Sequence, residues 1–135
     1  MEVNSKKGMF VSQKKTILCV DDDAIARTII SKFISVIGQY ECLEAKSGME
    51  CLDYVSKHNL DLIVLDYRLG DSDGLNISRI IPSKSLNKDV PIILFSVVDS
   101  DELEIYRDCT NIAKIVQKPY DLESFKQDLH EILGD

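Results

Sequence analysis

The chain has 135 residues, 44% of them hydrophobic and 29% charged, which suits one globular domain with a buried core. Its formal net charge is −7, and direct nucleic-acid binding is not expected because such binding needs Lys and Arg to neutralise phosphates. No apolar run approaches the roughly 20 residues of a membrane span, and residues 1–15 lack the apolar stretch of a signal peptide. We therefore expect a cytoplasmic protein without membrane insertion.

Residues 1–15 mix Lys, Ser, Gly and Asn without any sustained period, and they predict a flexible N-terminal tail before a domain over 16–135. The four cysteines form no CxxC pair and only two histidines are present, so a zinc site is not expected. Cys19 lies inside an apolar run and is predicted to be a small core residue.

From residue 16 onward, short β-branched runs alternate with segments of helical spacing. Strands are predicted at 16–20, 40–45, 61–66, 90–96 and 114–118, and helices from Asp23 to Gly38 and at 48–57, 74–81, 100–109 and 121–133. The apolar positions of the first, second and last helix are Ile25, Ile29, Ile30, Phe33, Ile34, Ile37; Met49, Leu52, Tyr54, Val55; and Leu122, Phe125, Leu129, Ile132. This alternation predicts an α/β fold: a doubly wound, five-stranded parallel sheet with helices on both faces, of the flavodoxin-like type.

The segment DLIVLDYRLGDSDG (61–74) runs from four apolar residues straight into Asp66. A buried carboxylate is costly without a partner, so compensation must lie nearby. In doubly wound sheets ligands bind beyond the carboxyl ends of the strands. The polar residues at the predicted strand ends are Asp21, Asp22, Asp23, Asp66, Ser96 and Lys118.

Clustered carboxylates repel one another and need a cation. An all-oxygen ligand set favours Mg²⁺ over a soft transition metal. Lys118 is long enough to bring a second positive charge to Asp66, and Ser96 offers a hydroxyl.

Four motifs stand in order at these strand ends: VDDD at 20–23, LDYRLGDSDG at 65–74, FS at 95–96 and KPY at 118–120. With them the chain resembles the receiver domains of two-component response regulators and is similar to single-domain chemotaxis regulators. The resemblance implies that Asp66 is the phosphoacceptor, that Ser96 and Lys118 contact the phosphoryl group, and that the Lys118–Pro119 bond is cis. It also implies a Mg²⁺ site formed by Asp21, Asp22, Asp66 and the backbone carbonyl of Arg68.

The implied partners are a histidine kinase or histidine phosphotransfer protein and a downstream protein target or output domain. The protein would promote its own phosphorylation and dephosphorylation without being a turnover enzyme. One alternative is a pseudo-receiver, an interaction module that signals without phosphate. Another is a Mg²⁺-dependent phosphatase with an aspartyl nucleophile, although Arg68 stands where such enzymes have a second aspartate.

Asp23 is interpreted as a helix cap, and Asp71 and Asp73 as residues that shape a turn. The sequence also departs from the family pattern. Gly70 stands where proline is frequent and predicts a more flexible loop, and Ile115 stands where an aromatic switch residue is frequent. Val97 replaces a small residue and is expected to restrict access to the phosphoryl group. Arg68 and Val98 would border that group and are predicted to alter the lifetime of the phosphorylated state.

Overall fold

The computed structural model describes residues 14–83, 85–98, 103 and 111–134. The strands are Lys15–Val20 (β1), Tyr40–Ala45 (β2), Leu62–Asp66 (β3), Ile92–Ser96 (β4) and Ile112–Gln117 (β5). Within the described residues, the α-helices whose full extent is seen are Ala24–Ile37 (α1), Gly48–Lys57 (α2), Gly74–Ile80 (α3) and Leu122–Leu133 (α4), and short 3-10 turns occupy Ile81–Ser83 and Ser85–Asn87.

Two sequence predictions fall largely outside the described residues. Of the predicted tail, only positions 14 and 15 are described, and Lys15 already belongs to β1. Of the predicted helix at 100–109, only Leu103 is described, and it is helical and buried. Among the helices that the structure describes, none has the length and apolar character needed to cross a membrane.

The five strands form one parallel sheet in the order β2-β1-β3-β4-β5, which confirms the predicted fold class. Alternate residues of each strand point to opposite faces, so Leu18 and Val20 enter one core while Ile17 and Cys19 enter the other. The first core is covered by α2 and α3, and the second by α1 and α4. Since helices cover both faces, ligands can reach the sheet only at its edges.

Side-chain caps fix where the helices begin. Asp23 Oδ1 accepts a hydrogen bond from Ile25 N at 3.0 Å and caps α1, which confirms the interpretation of that residue. Asp73 and Asp121 cap α3 and α4 in the same way, through the backbone N–H groups three residues further on. Helix α1 ends at Gly38, whose φ of +85° lies in the left-handed region that glycine tolerates.

Three of the apolar helix positions are exposed to solvent: Ile25 at 72%, Ile29 at 45% and Met49 at 77% relative accessibility. In α1 the buried residues are Ile30 and Ile34, and Ile29 lies roughly 100° around the helix from Ile30. In α2, Cys51 and Val55 are buried. Met49 is turned about 200° away from Cys51, so it faces solvent. Apolar character alone therefore does not decide which side chains of a helix are buried.

Gly74, the first residue of α3, approaches the backbone behind Asp66 closely. Its N–H donates to Tyr67 O at 2.6 Å, and a Cβ at this position would lie 2.6 Å from Asp66 O and 2.8 Å from Leu94 Cδ1. The backbone oxygen cannot move aside as a side-chain tip can. The DG pair at 73–74 thus provides both a cap and the space that α3 needs beside β3.

We predict that Gly74→Ala lowers the free energy of unfolding by about 2–3 kcal/mol, because the new methyl group overpacks against backbone. Urea denaturation followed by circular dichroism measures the change. Gly48→Ala is the matched control, since Gly48 also begins a helix but its nearest obstacle is the Ile77 Cδ1 methyl at 2.8 Å. An equal or smaller loss for Gly74→Ala than for Gly48→Ala would contradict the backbone clash.

Candidate functional site

The acidic residues at the ends of β1 and β3 meet at one edge of the sheet. Val20 of β1 pairs with Leu65 of β3, so the next residue of each chain segment, Asp21 and Asp66, emerges side by side with the other. Asp21, Asp22 and Asp66 each present a carboxylate oxygen within 4.8 Å of the other two. Asp21 is buried, Asp66 is half-buried and Asp22 is exposed, so the cluster opens to solvent on one side.

Lys118 brings the compensating positive charge from the end of β5. Its Nζ lies 2.7 Å from Asp66 Oδ1 and 3.3 Å from Asp21 Oδ2. The Lys118–Pro119 bond is cis, and Lys118 N donates to Ser96 O at 2.8 Å, which ties the lysine backbone to β4. The structure thus brings together the lysine and the aspartates that the sequence placed on separate strands.

Among the residues that the structure describes, the charges of this cluster do not balance, because three carboxylates face one ammonium. Burial and the neighbouring Asp21 carboxylate raise the pKa of Asp66, and Lys118 offsets this only in part. Burial by itself lowers the pKa of Lys118, but hydrogen bonding and attraction to Asp66 and Asp21 outweigh it and raise the pKa overall. The ammonium is therefore well stabilised, whereas the carboxylates lack positive charge.

The donor set fits a hard divalent cation. Each of the three clustered residues offers carboxylate oxygen, and the described cluster contains neither imidazole nor thiolate. Oxygen-only ligands with excess negative charge and an open side suit Mg²⁺, which keeps several waters when it binds protein. The sequence-based assignment of the metal type is consistent with this geometry.

Ser96 ends β4 and is almost completely buried. Its Oγ accepts a hydrogen bond from Val98 N at 2.9 Å, so the hydroxyl oxygen is engaged with the loop that follows β4. Val97 between them is 64% exposed. The Ser96 hydroxyl therefore lies at the carboxyl edge of the sheet and is bonded to the loop that follows β4.

Arg68 lies in the loop between β3 and α3. Its N–H donates to Asp66 Oδ2 at 3.2 Å, and its guanidinium carbon lies 5.9 Å from the centroid of the Tyr67 ring. The guanidinium therefore lies over the Tyr67 ring, while the backbone of Arg68 borders the phosphoacceptor candidate. A metal-binding role for the Arg68 carbonyl remains a prediction.

Gly70 shapes the tip of the same loop. Its φ is +80°, and Asp71 N donates across it to Leu69 O at 2.9 Å, which forms a three-residue turn. Proline, which the family resemblance suggested for this position, cannot adopt this φ. A Cβ on Gly70 would lie 3.2 Å from Asp22 Oδ2, so the turn packs beside the acidic cluster.

Two supporting residues escaped the sequence reasoning. Arg27 of α1 donates from Nη1 to Asp21 O at 2.8 Å, and its Nε lies 3.5 Å from Glu44 Oε1 on β2. Asp71 accepts hydrogen bonds from the N-terminal amides of α2, so it does more than shape its own turn. The sequence carries only a weak signal for either residue, because both act across elements distant in the chain.

Comparison with known proteins agrees with this architecture. The family model of the response regulator receiver domain matches residues 17–130. The chain is 34% identical over 91 residues to the phosphate regulon transcriptional regulatory protein PhoB of Pseudomonas aeruginosa, covering 67% of this chain and 39% of that protein. It is 24% identical over 119 residues to a chemotaxis protein CheY homolog of Campylobacter jejuni, covering 87% of this chain and 92% of that protein.

A solved structure supports the fold independently. The receiver domain of the sensor histidine kinase PA1611 of Pseudomonas aeruginosa, which has a magnesium ion coordinated in its active-site cleft, matches with a TM-score of 0.78. Identity is 22%, and the match covers 91% of this chain and 100% of that one. Because the family model spans most of the sequence and the fold agrees, the chain belongs to the receiver domains of two-component response regulators.

Proposed function

We propose that this protein is a phosphorylation-dependent signalling receiver whose Asp66 accepts a phosphoryl group from a histidine kinase or histidine phosphotransfer protein. The phosphorylated form would present a changed surface to a downstream protein target or output domain. The observation that carries the proposal is the Asp66 carboxylate held 2.7 Å from Lys118 Nζ inside an acidic cluster. The proposal includes a cytoplasmic location, and the free thiols of Cys19, Cys42 and Cys51 fit a reducing compartment.

In the proposed transfer, an Asp66 oxygen attacks the phosphorus of a phosphohistidine. The new O–P bond forms as the P–N bond breaks, and the departing imidazole nitrogen keeps the electron pair. Both reactants are anionic, so the reaction needs positive charge aimed at the phosphoryl oxygens. Lys118 supplies part of this charge from the position that it already occupies beside Asp66.

Asp21, Asp22, Asp66 and the Arg68 carbonyl would hold Mg²⁺, which when bound supplies further neutralisation of the phosphoryl oxygens. The three clustered carboxylates support this assignment. The magnesium-containing PA1611 receiver domain supports it by analogy of fold. Within the chain, Arg27 holds the Asp21 backbone and Arg68 N holds one Asp66 oxygen, so the ligands stay oriented.

The switch would begin at Ser96. Its hydroxyl now accepts from Val98 N, and a phosphoryl group on Asp66 offers acceptor oxygens toward which the hydroxyl can turn and donate. Breaking the contact with Val98 N would release the loop after β4. Ile115 stands half-buried against the α2–α3 core, so this proposal relies on Ser96 and its loop without an aromatic switch.

A surface suited to a protein phosphodonor adjoins the site. An apolar groove of about 380 Å³ lies between α1 and the segment after β5, with Ile29, Val97, Lys118 and Tyr120 among its lining residues. Lys118 belongs to both the groove and the acidic cluster. A donor seated against the exposed Ile29 and Val97 side chains would therefore lie next to Asp66.

Incubation with acetyl phosphate and Mg²⁺ is expected to add one phosphoryl group, detected by intact-protein mass spectrometry. Asp66→Asn should abolish the adduct because the amide is a poor nucleophile. Asp53→Asn is the matched control, since Asp53 is an exposed aspartate on α2 paired only with Lys57 among its described ion pairs. If neither acetyl phosphate, nor histidine kinases, nor histidine phosphotransfer proteins phosphorylate the wild-type protein, a pseudo-receiver would be favoured instead.

Asp66→Asn is further expected to raise the free energy of unfolding in the presence of EDTA, because it removes a negative charge that is partly buried and lies beside the Asp21 carboxylate. The raised pKa of Asp66 means that its ionisation favours the unfolded chain. This gain in stability should be absent below the pKa of Asp66 in the unfolded chain, about 4. It should grow as the pH rises toward the higher pKa of Asp66 in the folded protein, and then stay constant.

Urea denaturation across a pH series measures this gain, and Mg²⁺ should reduce it by stabilising the wild-type protein. Asp53→Asn should change stability by no more than about 0.5 kcal/mol, as is usual for exposed positions. A pH-independent difference between Asp66→Asn and the wild type would contradict the electrostatic cause.

Substitution at Arg68 or Val98 is expected to change the decay rate of the phosphorylated protein. Arg68 lies beside Asp66, and Val98 N contacts the Ser96 hydroxyl, so both positions border the proposed phosphoryl group. Arg68→Ala and Val98→Ala, phosphorylated with acetyl phosphate and freed of donor, can be followed by release of inorganic phosphate. Decay at the wild-type rate in both variants would refute this role.

A further inference from the structure

Asp71 connects the loop beside the acidic cluster to helix α2. Its Oδ1 accepts from Gly48 N at 2.9 Å, and its Oδ2 accepts from Met49 N at 3.1 Å. Such first-turn amides have no partner within their own helix. The hydrogen bond from Gly48 N lowers the pKa of Asp71, and a smaller effect of the Met49 bond adds to it despite an opposing effect of burial.

Ser47 satisfies a third amide of this turn, because Glu50 N donates to Ser47 Oγ at 3.0 Å. The first regular helical bond follows, from Cys51 N to Ser47 O at 3.0 Å. The N-terminus of α2 is therefore capped both by its own N-cap residue and by the β3–α3 loop. This division allows the two roles, stabilising the helix and holding the loop, to be separated by mutation.

Only four residues, 67–70, separate Asp71 from Asp66. Arg68 N donates to Asp66 Oδ2, Leu69 is buried, and Gly70 packs beside Asp22 Oδ2. The turn across Gly70 joins Leu69 O to Asp71 N at 2.9 Å. One end of the segment 68–71 is thus bonded to α2, and the other end lies beside the carboxylates.

We propose that Asp71 is a positioning residue that sets the affinity of the site for a divalent cation. By bonding the α2 amides, it holds the segment 68–71 against the cluster and so fixes the backbone of Arg68. The inference rests on the proposed function in taking the Arg68 carbonyl as a cation ligand. Loss of the Asp71 carboxylate would leave every cluster carboxylate in place but release the loop that borders them.

Asp71→Ala is expected to weaken Mg²⁺ binding roughly tenfold, a loss typical when a partner that orients a metal ligand is removed. Isothermal titration calorimetry with MgCl₂ on the full chain measures the affinity. The initial rate of phosphorylation by acetyl phosphate should fall at limiting Mg²⁺ and recover at saturating Mg²⁺. A lower folded fraction would instead reduce the rate at every Mg²⁺ concentration.

Asp71→Asn keeps one acceptor oxygen without the charge, so it should bind Mg²⁺ with an affinity between those of Asp71→Ala and the wild type. This milder variant also serves if Asp71→Ala does not fold. Ser47→Ala is the matched control, because it weakens the same helix terminus without touching the loop. Its Mg²⁺ affinity should equal that of the wild type.

Wild-type affinity in both Asp71 variants, or an equal loss in Ser47→Ala, would overturn the positioning role and leave the proposed function standing. Absence of Mg²⁺ binding by the wild-type protein would overturn the proposed function, and the role of Asp71 with it. The two failures are therefore distinguishable.

Discussion

Mutual repulsion among Asp21, Asp22 and Asp66 is the constraint around which this edge of the sheet is organised. Parallel pairing of β1 with β3 brings the carboxylates together, and covering both faces with helices withdraws two of them from bulk solvent. At reduced solvent exposure such charges interact more strongly than they would in water. The clustered carboxylates therefore attract cations, and Lys118 supplies one positive charge.

Support for the carboxylates comes from both sides of the sheet. On the α1 side, Arg27 donates to Asp21 O and its guanidinium approaches Glu44 of β2. The loop that follows β1 is thereby linked to the edge strand β2. On the α2 side, Asp71 fixes the loop that follows Asp66. The Arg27 contact uses the backbone oxygen of Asp21, and the Asp71 contact uses its own carboxylate, so neither engages a carboxylate oxygen of the acidic cluster.

The backbone segments that carry Lys118 and Ser96 are held together by contacts between aromatic rings. Tyr120 follows the cis Lys118–Pro119 bond, and its ring lies edge-on to Phe95 with centroids 4.4 Å apart. Phe95 is also the residue before Ser96, and both rings contact Phe125 of α4. Displacement of the Ser96 loop would therefore be felt at the junction of β5 and α4. This packing would connect the proposed phosphorylation site to the last helix.

The sequence by itself determined the order of elements, the parallel sheet and the polar residues at its carboxyl edge, because these follow from local periodicity, caps and strand burial. Strand Tyr40–Ala45 and helix Gly48–Lys57 matched their predicted bounds for this reason. Only the tertiary structure decided that Ile25 and Met49 face solvent, since burial depends on which side of a helix meets the sheet. Likewise, Arg27 and Asp71 acquired their roles through contacts between segments 6 to 23 residues apart, which no local pattern encodes.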